Sequence, residues 1–329
     1  MGKCTVPWLK SEVCKEIEIL NTDSFISEQG LKNSNAKYLN PNTTLIALVG
    51  ATKGKTAFLK IKATTNQNIG GISSNDENIV LNKYIYYNLK RMYNLIICDL
   101  GQYDMLNLTQ IKNIKIPLPP LDIQQKIVSE IEKFEEQEQR INKEIKQLQE
   151  QIETNFKNIK GKQKRLDEVC ELKSGNFVKA SDINKLFSSE LYPCYGGNGL
   201  RGYTKTLTND GTFSLVGRQG ALCGNVHLVS GKFHATEHAL VAYPKQDIDN
   251  IWLYYQLLFM NLNQYATGTA QPGLSVMNLN PIEISVPTIA EQKKIVSAIE
   301  KKEVKINELK EQIADLPKQK QNILKKYLE

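Results

Sequence analysis

The string IPLPPLDIQQKIVSEIE at residues 116–132 returns 168 residues later as ISVPTIAEQKKIVSAIE at residues 284–300. The two strings align without a gap, and the same shift places Tyr86-Tyr87 on Tyr254-Tyr255 further upstream. A period of this length is too long for the repeat of a solenoid. It indicates a duplicated unit, in which a globular domain is followed by a long helix.

Each string opens an amphipathic segment whose apolar residues lie alternately four and three positions apart, which is the spacing of a heptad seam. The pattern is interrupted at Glu138 in the first copy and at Lys302 and Lys320 in the second. Glu, Lys and Gln cover the other faces, so we predict that the two helices pair as an antiparallel coiled coil. About 40 residues at a rise of 1.5 Å give a rod of roughly 60 Å. Pro317 lies inside the second pattern and is expected to kink or break that helix. The predicted helix-pairing residues are Ile127, Ile131, Phe134, Ile141, Ile145, Leu148, Ile295, Ile299, Ile306, Leu309, Ile313 and Leu316.

The part of each unit that precedes the helix has a different pattern. Short β-branched and aromatic runs, such as Thr44 to Val49 and Thr212 to Val216, alternate with Gly and Asn clusters and predict strands and tight turns. One helical segment follows in each unit, at Tyr84 to Tyr93 and at Trp252 to Tyr265. The predicted fold class is α+β, with two globular domains, two long helices and an internal pseudo-twofold repeat. The expected segments are 1–116, 117–160 (central helix), 161–286 and 287–329 (C-terminal helix).

The composition of the chain is that of a globular protein. Its 329 residues are 41% hydrophobic and carry a net charge of +7, which is compatible with a polyanionic partner. No run approaches the roughly 18 apolar residues of a membrane span, and the first residues have no signal-peptide core. The six cysteines lack C-x-x-C spacing, which favours reduced thiols in the cytoplasm.

Two motifs suggest chemistry at first sight. Gly50-Ala51-Thr52-Lys53-Gly54-Lys55-Thr56 resembles a phosphate loop, but only three residues separate its glycines and a strand, not a helix, is predicted to follow. A turn that brings lysines to a DNA backbone and a plain hairpin turn remain comparable interpretations. His227, His234 and His238 lie near Cys223 without a known ligand spacing, so packing is preferred over a zinc site. Without a recognisable catalytic motif, the chain is expected to bind and not to catalyse.

The repeat, together with YPCYGGNGLRGY (192–203), FHATEHALV (233–241), GTAQPGLS (268–275), EQGLKNSNAKYLNPNTTLIALVGATKGKTAFL (28–59) and LPKQKQNILKKYL (316–328), resembles the specificity subunit of type I restriction-modification systems. The resemblance covers nearly the whole chain and explains the false phosphate loop as part of a target-recognition domain. The sequence departs from the pattern of the family in one place. Arg165 to Gly175 opens the second domain as in the family, whereas the first domain has no counterpart and is expected to be shortened at its N-terminus.

The resemblance implies a non-catalytic, prokaryotic, cytoplasmic protein that binds double-stranded DNA. Each globular domain would read one half of a bipartite target, and the helices would fix the spacing and dock two methyltransferase subunits. The chain itself would hold no cofactor or metal, S-adenosylmethionine would bind to the methyltransferase, and a restriction subunit would act as motor and nuclease. Two alternatives remain: a specificity module of a fused, type IIG-like restriction-methyltransferase, or a degenerate coiled-coil scaffold that no longer reads DNA.

Individual DNA contacts are predicted from side-chain chemistry, because Lys and Arg contact phosphates while Arg, Asn and Gln pair with base edges. The candidate DNA-binding residues are Lys53, Lys55, Asn66 and Gln67 in the first domain and Tyr195, Asn198, Arg201, Lys205, Arg218, Gln219 and Gln271 in the second.

Overall fold

A computed structural model describes residues 4–100, 105–220, 222–268 and 272–328. The chain forms two compact units, and each is described separately. The first unit comprises Met1–Ile141 and Glu311–Glu329, and the second comprises Asn142–Lys310.

The first unit contains two four-stranded sheets, with strand orders β3-β1-β7-β4 and β2-β6-β5-β8. Its strands are β1 (Cys4–Leu9), β2 (Glu18–Ile19), β3 (Phe25–Ser27), β4 (Tyr38–Leu39), β5 (Thr43–Ala47), β6 (Thr56–Leu59), β7 (Ala63–Thr65) and β8 (Ile69–Ile72). Its short helices are α1 (Glu28–Lys32), α2 (Asn82–Arg91), α3 (Tyr93–Leu100) and α4 (Leu108–Lys112). The long helix α5 (Leu121–Lys157) begins in this unit.

The second unit also contains two four-stranded sheets, with orders β12-β11-β16-β13 and β10-β17-β14-β15, and a pair formed by β9 and β18. Its strands are β9 (Lys162–Arg165), β10 (Cys170–Ser174), β11 (Tyr192–Gly196), β12 (Gly199–Thr204), β13 (Asn209–Asp210), β14 (Phe213–Gly217), β15 (Val226–Val229), β16 (Lys232–Ala235), β17 (Ala239–Pro244) and β18 (Glu283–Val286). Its helices are α6 (Leu166–Val169), α7 (Asn250–Phe259), α8 (Val276–Leu279) and the first part of α9 (Ile289–Leu328).

The two units share strand registers that differ by 170 in residue number. Thr44 lies opposite Phe58 and Ile72 in the first unit, and Ser214 lies opposite Leu228 and Ala242 in the second. Two strands break the correspondence. In the first unit β2 pairs with β6, whereas β15, the counterpart of β6, lies at the edge of its sheet. In the second unit β10 pairs with β17, whereas among the described residues of the first unit no strand pairs with the matching edge of β8. This difference falls where the sequence of the first domain lacks a counterpart to Arg165 to Gly175.

The helical segments after the sheets differ in detail from the predicted ones. The structure places α2 at Asn82–Arg91, two residues earlier than predicted. The predicted helix from Trp252 to Tyr265 is wrong in its second part, because α7 ends at Phe259. Asn261 takes a left-handed conformation with φ of 51°, which an α-helix cannot continue through, and a separate 3₁₀ turn follows at Leu262–Tyr265.

The long helices run antiparallel where they pair in the first unit. Lys326 Nζ lies 3.3 Å from Glu130 Oε1, and Lys320 Nζ lies 2.7 Å from Glu138 Oε2. Residue numbers therefore decrease along α9 in the direction in which they increase along α5. Pro317 lies inside α9, which continues to Leu328, so of the two expected outcomes, a kink or a break, the break does not occur. Packing holds the helix together on both sides of the proline: Leu316, Ile323 and Leu324 are all buried. A proline removes only one helical hydrogen bond, and this packing offsets the loss.

All twelve predicted helix-pairing residues are at least partly shielded from solvent. Ile127, Ile131, Ile141, Ile145, Ile299, Ile306, Leu309 and Leu316 are buried, and Phe134, Leu148, Ile295 and Ile313 are half-buried. In the first unit Ile127 and Ile131 pack with Ile323 of α9 and also with Tyr87 of α2. The seam therefore attaches the globular domain of the first unit as well as the partner helix.

A fully buried glutamine joins each long helix to its globular domain. In the first unit Gln124 Oε1 accepts from the N–H of Leu81 at 3.0 Å, and Nε2 donates to the carbonyls of Ile79 and Pro119, both at 2.9 Å. In the second unit Gln292 is bonded in the same way, to positions 249, 247 and 287. The sequence repeat at a shift of 168 is thus also a repeat of hydrogen bonds.

A tyrosine hydroxyl supports the same junction in both units. Tyr87 donates to Glu135 of α5 at 2.7 Å, and Tyr255 donates to Glu303 of α9 at 2.7 Å. Burial first, and then the adjoining carboxylate, raises the pKa of Tyr87 and of Tyr255 above the ordinary phenol value.

Candidate nucleic-acid interface

The loop between β14 and β15 is closed by main-chain hydrogen bonds. Gly217 donates to the carbonyl of Asn225 and Gly224 donates to the carbonyl of Gly217, both at 2.8 Å. Gly220 and Gly224 have φ of 83° and 91°, a region that side chains rarely adopt. A Cβ on Gly224 would also lie 2.5 Å from the main-chain nitrogen of Asn263. The glycines are therefore required by the shape of this loop.

The loop between β5 and β6 in the first unit has the same construction. Ala47 donates to the carbonyl of Lys55 at 3.0 Å, Gly54 donates to the carbonyl of Ala47 at 2.8 Å, and Gly50 and Gly54 have φ of 75° and 79°. The string that resembles a phosphate loop is thus a hairpin connection between two antiparallel strands. Its counterpart in the second unit is Gly220 to Gly224. Matching the string Leu48-Val49-Gly50 to Leu215-Val216-Gly217 would instead align it with Gly217 to Gly220.

A second loop lies beside each of these connections. Arg218 N donates to the carbonyl of His238 at 3.0 Å, and Leu48 N donates to the carbonyl of Asn68 at 2.9 Å. Residues 66–68 of the first unit therefore occupy the place of residues 236–238 of the second. Each unit presents a pair of adjacent loops on the same main-chain framework, with different side chains.

In the second unit the loops border a surface depression of about 320 Å³, lined by Asn198, Arg201, Gln219 and His238 among others. Asn198 lies in the turn of the β11–β12 hairpin, and its Oδ1 accepts from Asn225 Nδ2 at 3.4 Å. Gln219 Oε1 lies 3.0 Å from His238 Nδ1. The structure thus brings together three of the predicted DNA-binding residues and surrounds them with hydrogen-bonding groups.

The other predicted residues of the second domain have varied surroundings. Arg218 is half-buried and its Nη1 donates to Ser174 Oγ at 3.2 Å, while Lys205 is exposed. Tyr195 packs edge-on against Phe233 in the core, with ring centroids 5.9 Å apart, and burial raises the pKa of its phenol. Gln271 lies outside the described residues.

In the first domain the predicted residues lie on the paired loops. Lys53 and Lys55 are half-buried and belong to the β5–β6 loop. Gln67 is exposed on the adjacent loop. Asn66 Oδ1 accepts from the N–H of Asn68 at 3.2 Å, so part of its hydrogen-bonding capacity holds the turn.

Two polar residues were not among the predicted DNA-binding residues. His238, for which packing was preferred, lines the depression, and Asn225 bonds to Asn198 beside it. The sequence contains one signal that could have aligned the two loops. Asn68 and His238 are separated by 170 residues in the sequence, which is the same shift that relates the strands of the two units. His234 is indeed internal: Nδ1 lies 2.9 Å from Thr206 Oγ1 and Nε2 lies 3.0 Å from the carbonyl of Asn176.

Within the described residues, no group of three or more His, Cys, Asp or Glu side chains is arranged to hold a metal ion. None of the helices there combines the length and the apolar character needed to cross a membrane.

Comparison with known proteins identifies a family. The model of the type I restriction modification DNA specificity domain matches residues 3–150 and 158–317. The specificity subunit of the EcoprrI type I restriction enzyme of Escherichia coli is 43% identical over 147 residues, 44% of this chain and 37% of that protein. The specificity subunit of the EcoR124I/EcoR124II enzyme of Escherichia coli is 25% identical over 138 residues, 40% of this chain and 34% of that protein. The matched part thus spans about a third of these curated relatives.

Solved structures with the same fold cover nearly the whole chain. A chain from a study of complex assembly and conformational transition in the type I R-M system covers 98% of this chain and 90% of that one, with a TM-score of 0.69 and 16% identity. The S subunit of a type I restriction-modification system from M. genitalium covers 100% and 90%, with a TM-score of 0.57 and 15% identity. These matches confirm the predicted α+β class with two sheet-rich domains and long helices.

Proposed function

Because the chain belongs to the type I restriction modification DNA specificity family, with two matched domains, we propose that it is the non-catalytic specificity subunit of such a complex. Each globular domain binds one half of a bipartite sequence in double-stranded DNA. The resemblance seen in the sequence and the family match both support the assignment as a specificity subunit.

The observation that carries the proposal is the pair of loops that both domains hold on the same framework. The first domain places Lys55 and Gln67 on these loops, and the second places Arg218, Gln219 and His238 there. Lys and Arg neutralise phosphates, whereas amide and imidazole groups hydrogen-bond to base edges. Equal frameworks with different side chains suit a target whose two halves differ.

The long helices supply the constant part of the assembly. Each repeat has the same buried glutamine and the same tyrosine–carboxylate contact where its domain meets its helix. Two equivalent junctions support the docking of two methyltransferase subunits, and a stiff helical connection between the domains fixes the spacer length of the target. Methyl transfer from S-adenosylmethionine and DNA cleavage then belong to partner subunits.

The test is co-expression of the chain with the methyltransferase encoded beside it, followed by single-molecule sequencing of host DNA for methyladenine. We expect a bipartite methylated motif that disappears when the gene for this chain is deleted. A symmetric motif, or a motif with one defined half, would contradict reading by both domains. A stable complex without methylation would favour the scaffold alternative, and a single partner that both methylates and cleaves would favour the fused system.

A further inference from the structure

The depression in the second domain contains an amide whose direction is set by its neighbours. The main chain around Gln219 is held on both sides, because Gly220 N donates to the carbonyl of Pro272 at 2.9 Å and Leu274 N donates to the carbonyl of Arg218 at 2.8 Å. The Gln219 side chain itself is exposed, so its end group faces solvent. An exposed glutamine normally samples many rotamers, and ordering it costs free energy on binding.

His238 limits that freedom. Its Nδ1 lies 3.0 Å from Gln219 Oε1, a distance at which a protonated Nδ1 donates to the amide oxygen. The opposite ring nitrogen, Nε2, lies 3.3 Å from Glu237 Oε1, and the two contacts together hold the imidazole when both of its nitrogens carry a proton. The contact leaves the Gln219 NH₂ group and the second lone pair of Oε1 directed away from the ring.

One donor and one acceptor, side by side on a planar amide, match the major-groove edge of adenine. The NH₂ group donates to N7, and the oxygen accepts from the N6 amino group. Resting on the proposed function, we infer that Gln219 reads an adenine in the half-site of the second domain and that His238 is its positioning residue. The other lining residues, Asn198 and Arg201, then contact neighbouring bases or phosphates in the same depression.

The first domain does not repeat the pair of Gln219 and His238. The position that corresponds to His238 is Asn68, whose side-chain NH₂ can replace an imidazole Nδ1–H, but the position that corresponds to Gln219 is Val49. The first domain therefore lacks the amide that the histidine orients. The adenine contact is a property of the second half-site alone.

The experiment measures binding of the complex of this chain with its methyltransferase to duplexes that carry each single base change in the methylated motif, and to duplexes with 7-deazaadenine at each adenine. The variants are Gln219→Ala, His238→Ala and His238→Asn. The control is Lys232→Ala, an exposed residue at the far end of β16. Circular dichroism verifies that each variant folds.

For the wild type, 7-deazaadenine at one position of one half-site removes the N7 acceptor and is expected to weaken binding about tenfold, the loss of one of the two hydrogen bonds of the bidentate contact. Gln219→Ala removes the preference at that base pair and no other. His238→Ala reduces the same preference about threefold, and His238→Asn restores it. Lys232→Ala changes none of these ratios.

The outcomes separate the inference from the proposed function. If the wild-type complex shows no base preference at all, the proposed function fails and this inference fails with it. If the wild type is specific but Gln219→Ala keeps every preference, or weakens all duplexes equally, only the inference is overturned. A His238→Ala variant that matches wild type at the Gln219-dependent base pair removes the positioning role.

Discussion

Replacing Gln292 by alanine is expected to destabilise the second unit by about 3 to 4 kcal/mol. The side chain is 0% exposed, and its amide makes three hydrogen bonds of 2.8 to 3.0 Å to main-chain atoms of Asp249, Asp247 and Pro287. Each bond contributes about 1 kcal/mol net, and the space left by the side chain adds roughly another 1 kcal/mol. A loss of this size is a large share of the ~5 to 15 kcal/mol that stabilises a domain.

The chain offers a built-in reporter for this measurement. It has two tryptophans, and a Trp8→Phe background leaves only Trp252, which is 0% exposed in α7 and lies three residues after Asp249. Urea unfolding followed by its fluorescence then reports the second unit. With an m value of about 2 kcal/mol per M, the midpoint is expected to fall by about 1.5 to 2 M.

Two further variants make this prediction falsifiable. Gln292→Glu keeps the size but turns a carboxylate oxygen toward two carbonyls, and it is expected to be at least as damaging as alanine. Lys293→Ala changes the exposed neighbour and is expected to shift stability by less than about 0.5 kcal/mol. A harmless Gln292→Glu, or equal midpoints for Gln292→Ala and Lys293→Ala, would refute the reasoning.

Three other predictions follow from the contacts described above. Tyr255→Phe removes the 2.7 Å hydrogen bond to Glu303 and is expected to lower the free energy of unfolding by about 1 to 2 kcal/mol in the same assay. Because the pKa of Tyr255 in the folded protein lies above the unfolded value of about 10, its contribution to stability is complete below that pH and falls as the pH rises beyond it. Tyrosinate absorbance during alkaline unfolding will measure this loss. Burial raises the pKa of Cys14 and of Cys170 to about 12. Alkylation at about pH 8 should therefore modify the exposed Cys4 and Cys98 in the native protein, and should modify Cys14 and Cys170 only in urea. Peptide mapping of the alkylated protein will test this. Lys55→Ala and Arg218→Ala should each weaken DNA binding by the assembled complex and lower its salt slope by about one, and an unchanged slope would exclude a phosphate contact.

The sequence repeat predicted the two long helices. The spacing of a heptad seam indicates which face of a helix is buried, and all twelve predicted seam residues are buried or half-buried; their pairing along the whole seam stays a prediction. Gln124 and Gln292 align in the repeat, and both side chains are buried and make equivalent hydrogen bonds. A buried polar side chain must find its hydrogen-bond partners inside the protein, so few other residues can replace it. The short strands β2, β4 and β13 have only two residues each, too few to show any alternation, and no pattern predicted them.

The candidate interface was harder to predict, because the loops of the two units correspond through their main-chain hydrogen bonds and not through similar residues in the sequence. The string Leu-Val-Gly occurs at 48–50 and at 215–217, and aligning the two strings puts the loops three residues out of the structural register. His238 was assigned to packing for a related reason: a histidine that faces a depression and one that fills a core look the same in a sequence. The role of Asn66 in its turn depends on a hydrogen bond to a residue two positions away, which propensity alone does not reveal.

The loops at 48–55 and 218–225 are held in shape by glycines and by hydrogen bonds of their own peptide groups, and an exposed side chain such as Gln219 is no part of that framework. An exposed position on such a loop can change its side chain without disturbing the strands on either side. Under the proposed function, a lineage can therefore acquire a new target by point substitution while the surfaces that bind its partner subunits stay intact. Selection on what is recognised is uncoupled from selection on what is assembled.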